Sequence, residues 1–182
     1  MHHLAKVYHR LVSLVEPPPP DPSWPRYSSR PFPGYRFVPG LSPHPRRDPR
    51  GHAYGTPELP PPRVAPERWR ENEVYRHGID LYNYAYWWEC HEALEGLWHL
   101  TGHTGTEAQF LQGLIQAAAA HLKRHVGSLI GSRRLGSEAV QRLLSVPGPV
   151  FMGVTLAPFI RGIRDLHVLE NGGAIPLIRL EL

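Results

Sequence analysis

A single cysteine, Cys90, stands in this chain of 182 residues. No internal disulfide can form, and nothing calls for an oxidising compartment. Long apolar runs are also missing. The opening stretch MHHLAKVYHRLVSLVE interrupts its apolar residues with Lys6, His9 and Arg10, which excludes both a signal-peptide core and a membrane span. With no sorting signal in view, the expected location is the cytoplasm. There is no internal repeat, and no apolar–polar alternation long enough to build a sheet. Proline is scarce beyond residue 66, where only Pro147, Pro149, Pro158 and Pro176 occur.

The other seventeen prolines fall in residues 1–66, and charge divides at the same place. Residues 1–66 hold nine Lys/Arg against four Asp/Glu, and residues 67–182 hold eleven against twelve. The formal +4 therefore belongs to the first part. Residues 1–66 read as a basic, mostly extended arm, because closely spaced prolines forbid helices and central strands. Residues 4–15 are the exception, a short amphipathic helix carrying Leu4, Val7, Leu11, Leu14 and Val15 on one face. Trp24, Tyr27, Phe32, Tyr35, Phe37 and Tyr54 are too many aromatics for a simple spacer, so part of residues 31–41 should lie on the folded domain or on a partner. Arg26, Arg30, Arg36, Arg46, Arg47 and Arg50 suit RNA or an acidic protein surface. The plainer expectation for them is a solvated arm.

Residues 67–182 carry helical periodicity. The expected fold is all-α, a compact bundle of about five helices behind the proline-rich arm. A first helix opens near Glu67, and a bend falls at Asn83 to Tyr86. A second helix runs to about Leu100. A third, small and apolar almost all round, should be central and buried, opened by a capping box at Thr104/Glu107 or Thr106/Gln109 and stopped at Gly127. A fourth spans roughly Ser132 to Ser145, and a last one runs from a Thr155 cap to about His167. The tail PLIRLEL adds a short strand or packs as extended chain.

The most informative stretch is YNYAYWWECHEALEGLW, residues 82–98. At about 100° per residue, Trp87, Trp88, His91, Leu94, Glu95 and Trp98 share one side, while Glu89, Ala93 and Gly96 take the other. His91 and Glu95 then lie within an apolar stripe, where ionisable groups must be paired, neutralised or bound. This run, followed by FLQGLIQAAAA, resembles a small helical family known as "domain of unknown function 309". Its hallmark is an aromatic–Asn–x–Gly–x–aromatic–aromatic–Glu–x–His–Glu run ending in Trp, then a Gln–Gly–x–x–Gln helix. The matching positions are Tyr82, Asn83, Tyr86, Trp87, Glu89, His91, Glu92 and Trp98, then Gln112, Gly113 and Gln116. Ala85 stands where the family usually has glycine, so a bend with positive φ would be strained. The resemblance covers residues 68 to about 145 and implies a compact helical bundle without an established activity.

Three readings of this stretch differ in kind. Glu89, His91, Glu92, Gln112 and Gln116 can satisfy one another as a hydrogen-bond network that fixes helix register. The same groups, with Glu95, can instead line a small-molecule pocket walled by Tyr82, Asn83, Trp87 and Trp98. An acid–base or divalent-metal enzyme centred on Glu89, His91, Glu92 and Glu95 is the third, with His91 and Glu95 as metal ligands one turn apart. His121 and His125, also one turn apart, should face away from Gln112 and Gln116. No activated nucleophile is evident, since Cys90 has no partner to lower its pKa. The reading carried forward is a cytoplasmic helical bundle with a structural or ligand-binding polar cluster. Exposed aromatics suggest a homodimer.

Overall fold

Proline at the first helical position and an asparagine cap open the bundle. The computed structural model describes residues 14–57 and 59–181. The helix expected over 4–15 lies, except for its last two residues, outside the described residues. Pro66–Glu71 forms a 3-10 helix, and Asn72 then caps α1 (Glu73–Asn83) by accepting the Tyr75 N–H at 3.0 Å. Next come α2 (Trp87–His99), α3 (Gly105–His125) and α4 (Leu129–Leu144). A hairpin of two-residue strands, β1 (Val150–Phe151) and β2 (Val154–Thr155), leads into α5 (Leu156–Ile163). A π-helical turn at Arg164–Val168 follows α5 directly. The bundle of about five helices is thus the observed architecture.

Local details depart from the periodicity. α4 begins at Leu129, three residues early. Thr104 sits at the α3 N-cap without a side-chain bond, so neither capping box forms. The Thr155 hydroxyl bonds Glu181 Oε1 at 2.6 Å instead of capping α5. Strands of two residues are too short to leave an alternating pattern. The tail is extended, and Leu180 makes a single bridge to Val154.

The bend between α1 and α2 turns on Ala85, whose φ is 64°. A left-handed alanine costs about 1–2 kcal/mol, and here it is held by complete burial and by the Tyr86 N–H bonding Leu81 O at 2.9 Å. α3 lies against both α2 and α4. Its Ala117, Ala118 and Ala120 are buried, and a Cβ on Gly113 would stand 2.7 Å from Leu143 Cγ. Small residues therefore set the distance between α3 and α4.

From Val15 to Ala65 the described chain contains neither helix nor strand, yet it is pinned to α1 and α2. Asp80, fully buried, accepts from Tyr27 N at 2.8 Å, Ser28 N at 2.9 Å and Arg26 Nε at 2.9 Å. Arg36 donates to Tyr84 O at 2.8 Å and lies 4.4 Å over the Tyr86 ring. Phe37 and Val38 are buried, and Phe32 stacks on Tyr86 with ring centroids 4.8 Å apart. The C-terminal tail is tied down by Asn83, which exchanges two hydrogen bonds with the Ile178 backbone. Trp24 Nε1 donates to the same Ile178 carbonyl at 3.0 Å, so arm and tail meet. Among the described residues, no helix is long and apolar enough to cross a membrane.

Candidate functional site

α2 buries Trp87, Cys90, Leu94 and Leu97 as its period demands, and also Glu89. The helical wheel placed Glu89 on the open side. The arm covers that side: Glu89 Oε1 accepts from Phe37 N at 3.0 Å and lies 2.9 Å from His52 Nε2. Its other oxygen is buried without a partner. Burial pushes the Glu89 carboxyl above its ordinary pKa, against the opposing pull of His52. His91 and Glu95, expected within the apolar stripe, sit at its margin, their side chains 32% and 39% exposed.

There they border a cleft of about 240 Å³ between α2, α3 and α4, lined by His91, Glu95, Trp98, Gln112, Gln116 and Leu135 among others. Five of the residues named for a polar or aromatic site thus meet around one cavity. Two buried polar atoms on these residues, Trp98 Nε1 and Gln116 Oε1, have no hydrogen-bond partner, and His91 Nδ1 has only a poorly aligned carboxylate neighbour. Gln116 Nε2, by contrast, donates to Glu138 Oε2 on α4 at 2.9 Å. Of the expected mutual network of Glu89, His91, Glu92, Gln112 and Gln116, only the adjacent His91–Glu92 pair forms among the described contacts. Glu89 serves the arm, and Gln116 serves α4.

His91 Nδ1 lies 3.3 Å from Glu92 Oε1 and 4.0 Å from Glu95 Oε2. The adjacent Glu92 carboxylate raises the His91 pKa above its usual range, with burial opposing and Glu95 assisting. One donor atom from each of His91, Glu92 and Glu95 fits within 4.8 Å. From the arm, Arg46 Nε comes within 3.7 Å of Glu92 Oε2. Other arm arginines also have partners: Arg26 pairs with Asp80, Arg36 lies 3.6 Å from Glu16, and Arg50 pairs with Asp48. Cys90 is fully buried, and that burial pushes its thiol pKa far up, away from nucleophilic use.

Tyr82, Asn83 and Trp87, expected as pocket walls, lie elsewhere. Asn83 holds the tail, and Trp87 packs against His121 and His125. Tyr82 opens a buried chain that the sequence reading missed. Its hydroxyl is 2.6 Å from His121 Nε2, His121 Nδ1 is 2.9 Å from His167 Nε2, and His167 Nδ1 is 2.7 Å from Ser132 Oγ. All four residues are 2% exposed or less. The assignment that satisfies the Tyr82 proton runs one way: Tyr82 donates to His121, His121 to His167, and His167 to Ser132. Burial lowers the pKa of both histidines, that of His167 to about 4. The only trace in the sequence is a histidine ending an alanine run, AAAAH, at His121. Its partners on α4 and the π turn are tertiary. His125, its neighbour one turn on, bonds Val15 O at 2.7 Å.

Residues 75–135, from α1 into α4, match the model of a family described as "Domain of unknown function (DUF309)". This supports the resemblance carried by the Tyr82–Trp98 motif and the Gln112–Gly113–Gln116 helix. No curated protein matches the chain significantly.

Proposed function

We propose that the cleft between α2, α3 and α4 binds a small polar molecule. One observation carries this reading: Trp98 Nε1 and Gln116 Oε1, buried polar atoms without a hydrogen-bond partner, both belong to residues lining this single cavity, beside a His91 ring held only by neighbouring carboxylates. A buried polar atom without a hydrogen bond costs about 1–3 kcal/mol. Two on one small cavity suit a site whose bonds are completed by a ligand. The set combines a Trp98 N–H donor, a Gln116 carbonyl acceptor and a His91 ring that Glu92 favours in its protonated form. Ile115, Ala119 and Leu135 supply an apolar wall. At about 240 Å³ the cavity is smaller than the ~300–1,000 Å³ of drug-sized sites, so the ligand is a small metabolite-like molecule carrying both donor and acceptor groups.

The test is a fragment screen by ligand-observed NMR on the full chain, repeated with Trp98→Phe. Removing one N–H donor should weaken genuine ligands about 3–10-fold and leave the fold intact. A screen without hits, or hits indifferent to Trp98→Phe and His91→Ala alike, refutes the reading.

A second reading rests on the clustering of His91, Glu92 and Glu95 donors. A divalent cation there would displace the His91 proton and leave coordination positions for water or ligand. Elemental analysis of the untagged chain and of His91→Ala decides it, stoichiometric metal lost in the variant being the expected result. The acid–base reading is weakened by Glu89, which faces the arm on the other side of α2. A cytoplasmic location and a homodimer remain part of the proposal, resting on the sequence alone.

A further inference from the structure

At the C-terminal end of α2 the chain does something costly that the cleft does not require. Gly102 and His103 both adopt left-handed backbone, each with φ 65°. Glycine does this freely; histidine does so more readily than most residues, but still at a cost. The turn folds His103 back over the helix end, so that its Nε2 lies 2.9 Å from Nδ1 of His99, the last residue of α2. Two contacts hold the His103 ring and backbone in place. Trp98 stacks on the ring at 3.9 Å with planes 17° apart, and Thr101 Oγ1 accepts the His103 N–H at 3.1 Å. Both histidines are exposed, so a hydrogen bond between them competes with water and gives little reason for the strain.

We propose that His99 and His103 form a bidentate site for a late first-row transition-metal ion, Cu²⁺ or Ni²⁺. Imidazole nitrogens bind such ions at ~2.0–2.1 Å, and a right-angled N–metal–N arrangement then separates the nitrogens by about 2.9 Å. The observed separation already has this bite. Cu²⁺ also stands above Zn²⁺ in the general affinity order for nitrogen ligands. The location assists, because the carboxyl end of a helix carries partial negative charge and favours cations. Stacking on Trp98 restricts the His103 ring before the ion arrives, so less freedom is lost on binding. Water completes the coordination sphere. This site is separate from His91, Glu92 and Glu95, and does not depend on the ligand proposed for the cleft.

The experiment is calorimetric titration of the untagged full chain with Ni²⁺ and with Cu²⁺, followed in parallel by tryptophan fluorescence. Wild type, His99→Ala, His103→Gly and His91→Ala are compared, with the double variant His99→Ala/His103→Gly giving the background from the remaining histidines. One ion should bind per chain above that background, with partial quenching as Trp98 loses its emission. His99→Ala and His103→Gly should each weaken this site by more than about tenfold, and His91→Ala should leave it unchanged. His103→Gly should also raise Tm while it abolishes chelation, since glycine relieves the left-handed strain. The proposal is overturned if wild type binds no more ion than the double variant. It is equally overturned if His91→Ala, rather than His99→Ala, removes the site.

Discussion

Acidification from pH 7 to pH 5 should destabilise the bundle through its buried histidine chain. Burial, with Arg124 adding to it, lowers the folded-state pKa of His167 to about 4. In the unfolded chain it titrates near 6.5. Between those values the unfolded state binds more protons, so stability is fully present above pH 7 and is lost as pH falls through 6.5 toward 4. For one such histidine the loss from pH 7 to pH 5 is about 2 kcal/mol. His121 is lowered by burial, then by His167 and Arg124, and acts in the same direction. His77, lowered to about 4 by burial and by Arg30 and Arg26, adds a solvent-screened contribution of the same sign. Asp80 and Glu89 oppose this, because burial raises their pKa values and folding is then favoured as they protonate. His91 opposes it too, since its raised pKa stabilises the fold below 6.5. The wild-type profile is therefore a sum of opposing slopes, and the informative quantity is a difference. His167→Asn keeps a polar group near Ser132 but cannot titrate. Urea unfolding followed by tryptophan fluorescence at pH 7, 6 and 5 should show the variant less stable at pH 7, with a slope flatter by about 1 kcal/mol per pH unit. Parallel profiles for the two proteins would refute the assignment of His167 as a buried neutral group.

Other expectations concern packing and the arm. Asp80→Ala should cost on the order of 3 kcal/mol, since three donors lose a buried acceptor. Limited proteolysis should then cut near residues 24–30, and an unaltered digestion pattern would show that the arm is held elsewhere. Gly136→Ala places a Cβ 2.5 Å from His167 Cβ, and the overpacking should cost about 1–3 kcal/mol while flattening the acid response described above. Gly113→Ala, where Leu143 is the obstacle, should destabilise to a similar degree without changing pH dependence; thermal melts at two pH values separate these outcomes. His91→Ala should leave stability unchanged or improved if the cleft serves a ligand, because groups arranged for binding are not arranged for stability. A loss of several kcal/mol would mark His91 as structural.

Much of this molecule follows from short-range rules. Proline density in residues 17–65 disfavours regular structure, and 3.6-residue periodicity beyond residue 66 demands a helical bundle. Alanines and Gly113 on one helix require close neighbours. His91, Glu95, Trp98, Gln112 and Gln116 stood out in the sequence because polar groups recur there at helical spacing among large apolar ones, and all five border the cleft. The fate of Glu89 was not legible. Helical phase placed it on the side away from the apolar stripe, but phase cannot say that an extended segment fifty residues earlier returns to cover that face. Tyr82 and His121 gave no sign of sharing a proton chain with Ser132 and His167, because such partners are brought together only by packing. The stack of the His103 ring on Trp98 is likewise invisible to composition, because it depends on how the turn after α2 folds back. Periodicity decides which side of a helix is apolar; tertiary contact decides what covers each side, and therefore which polar atoms are left without a partner.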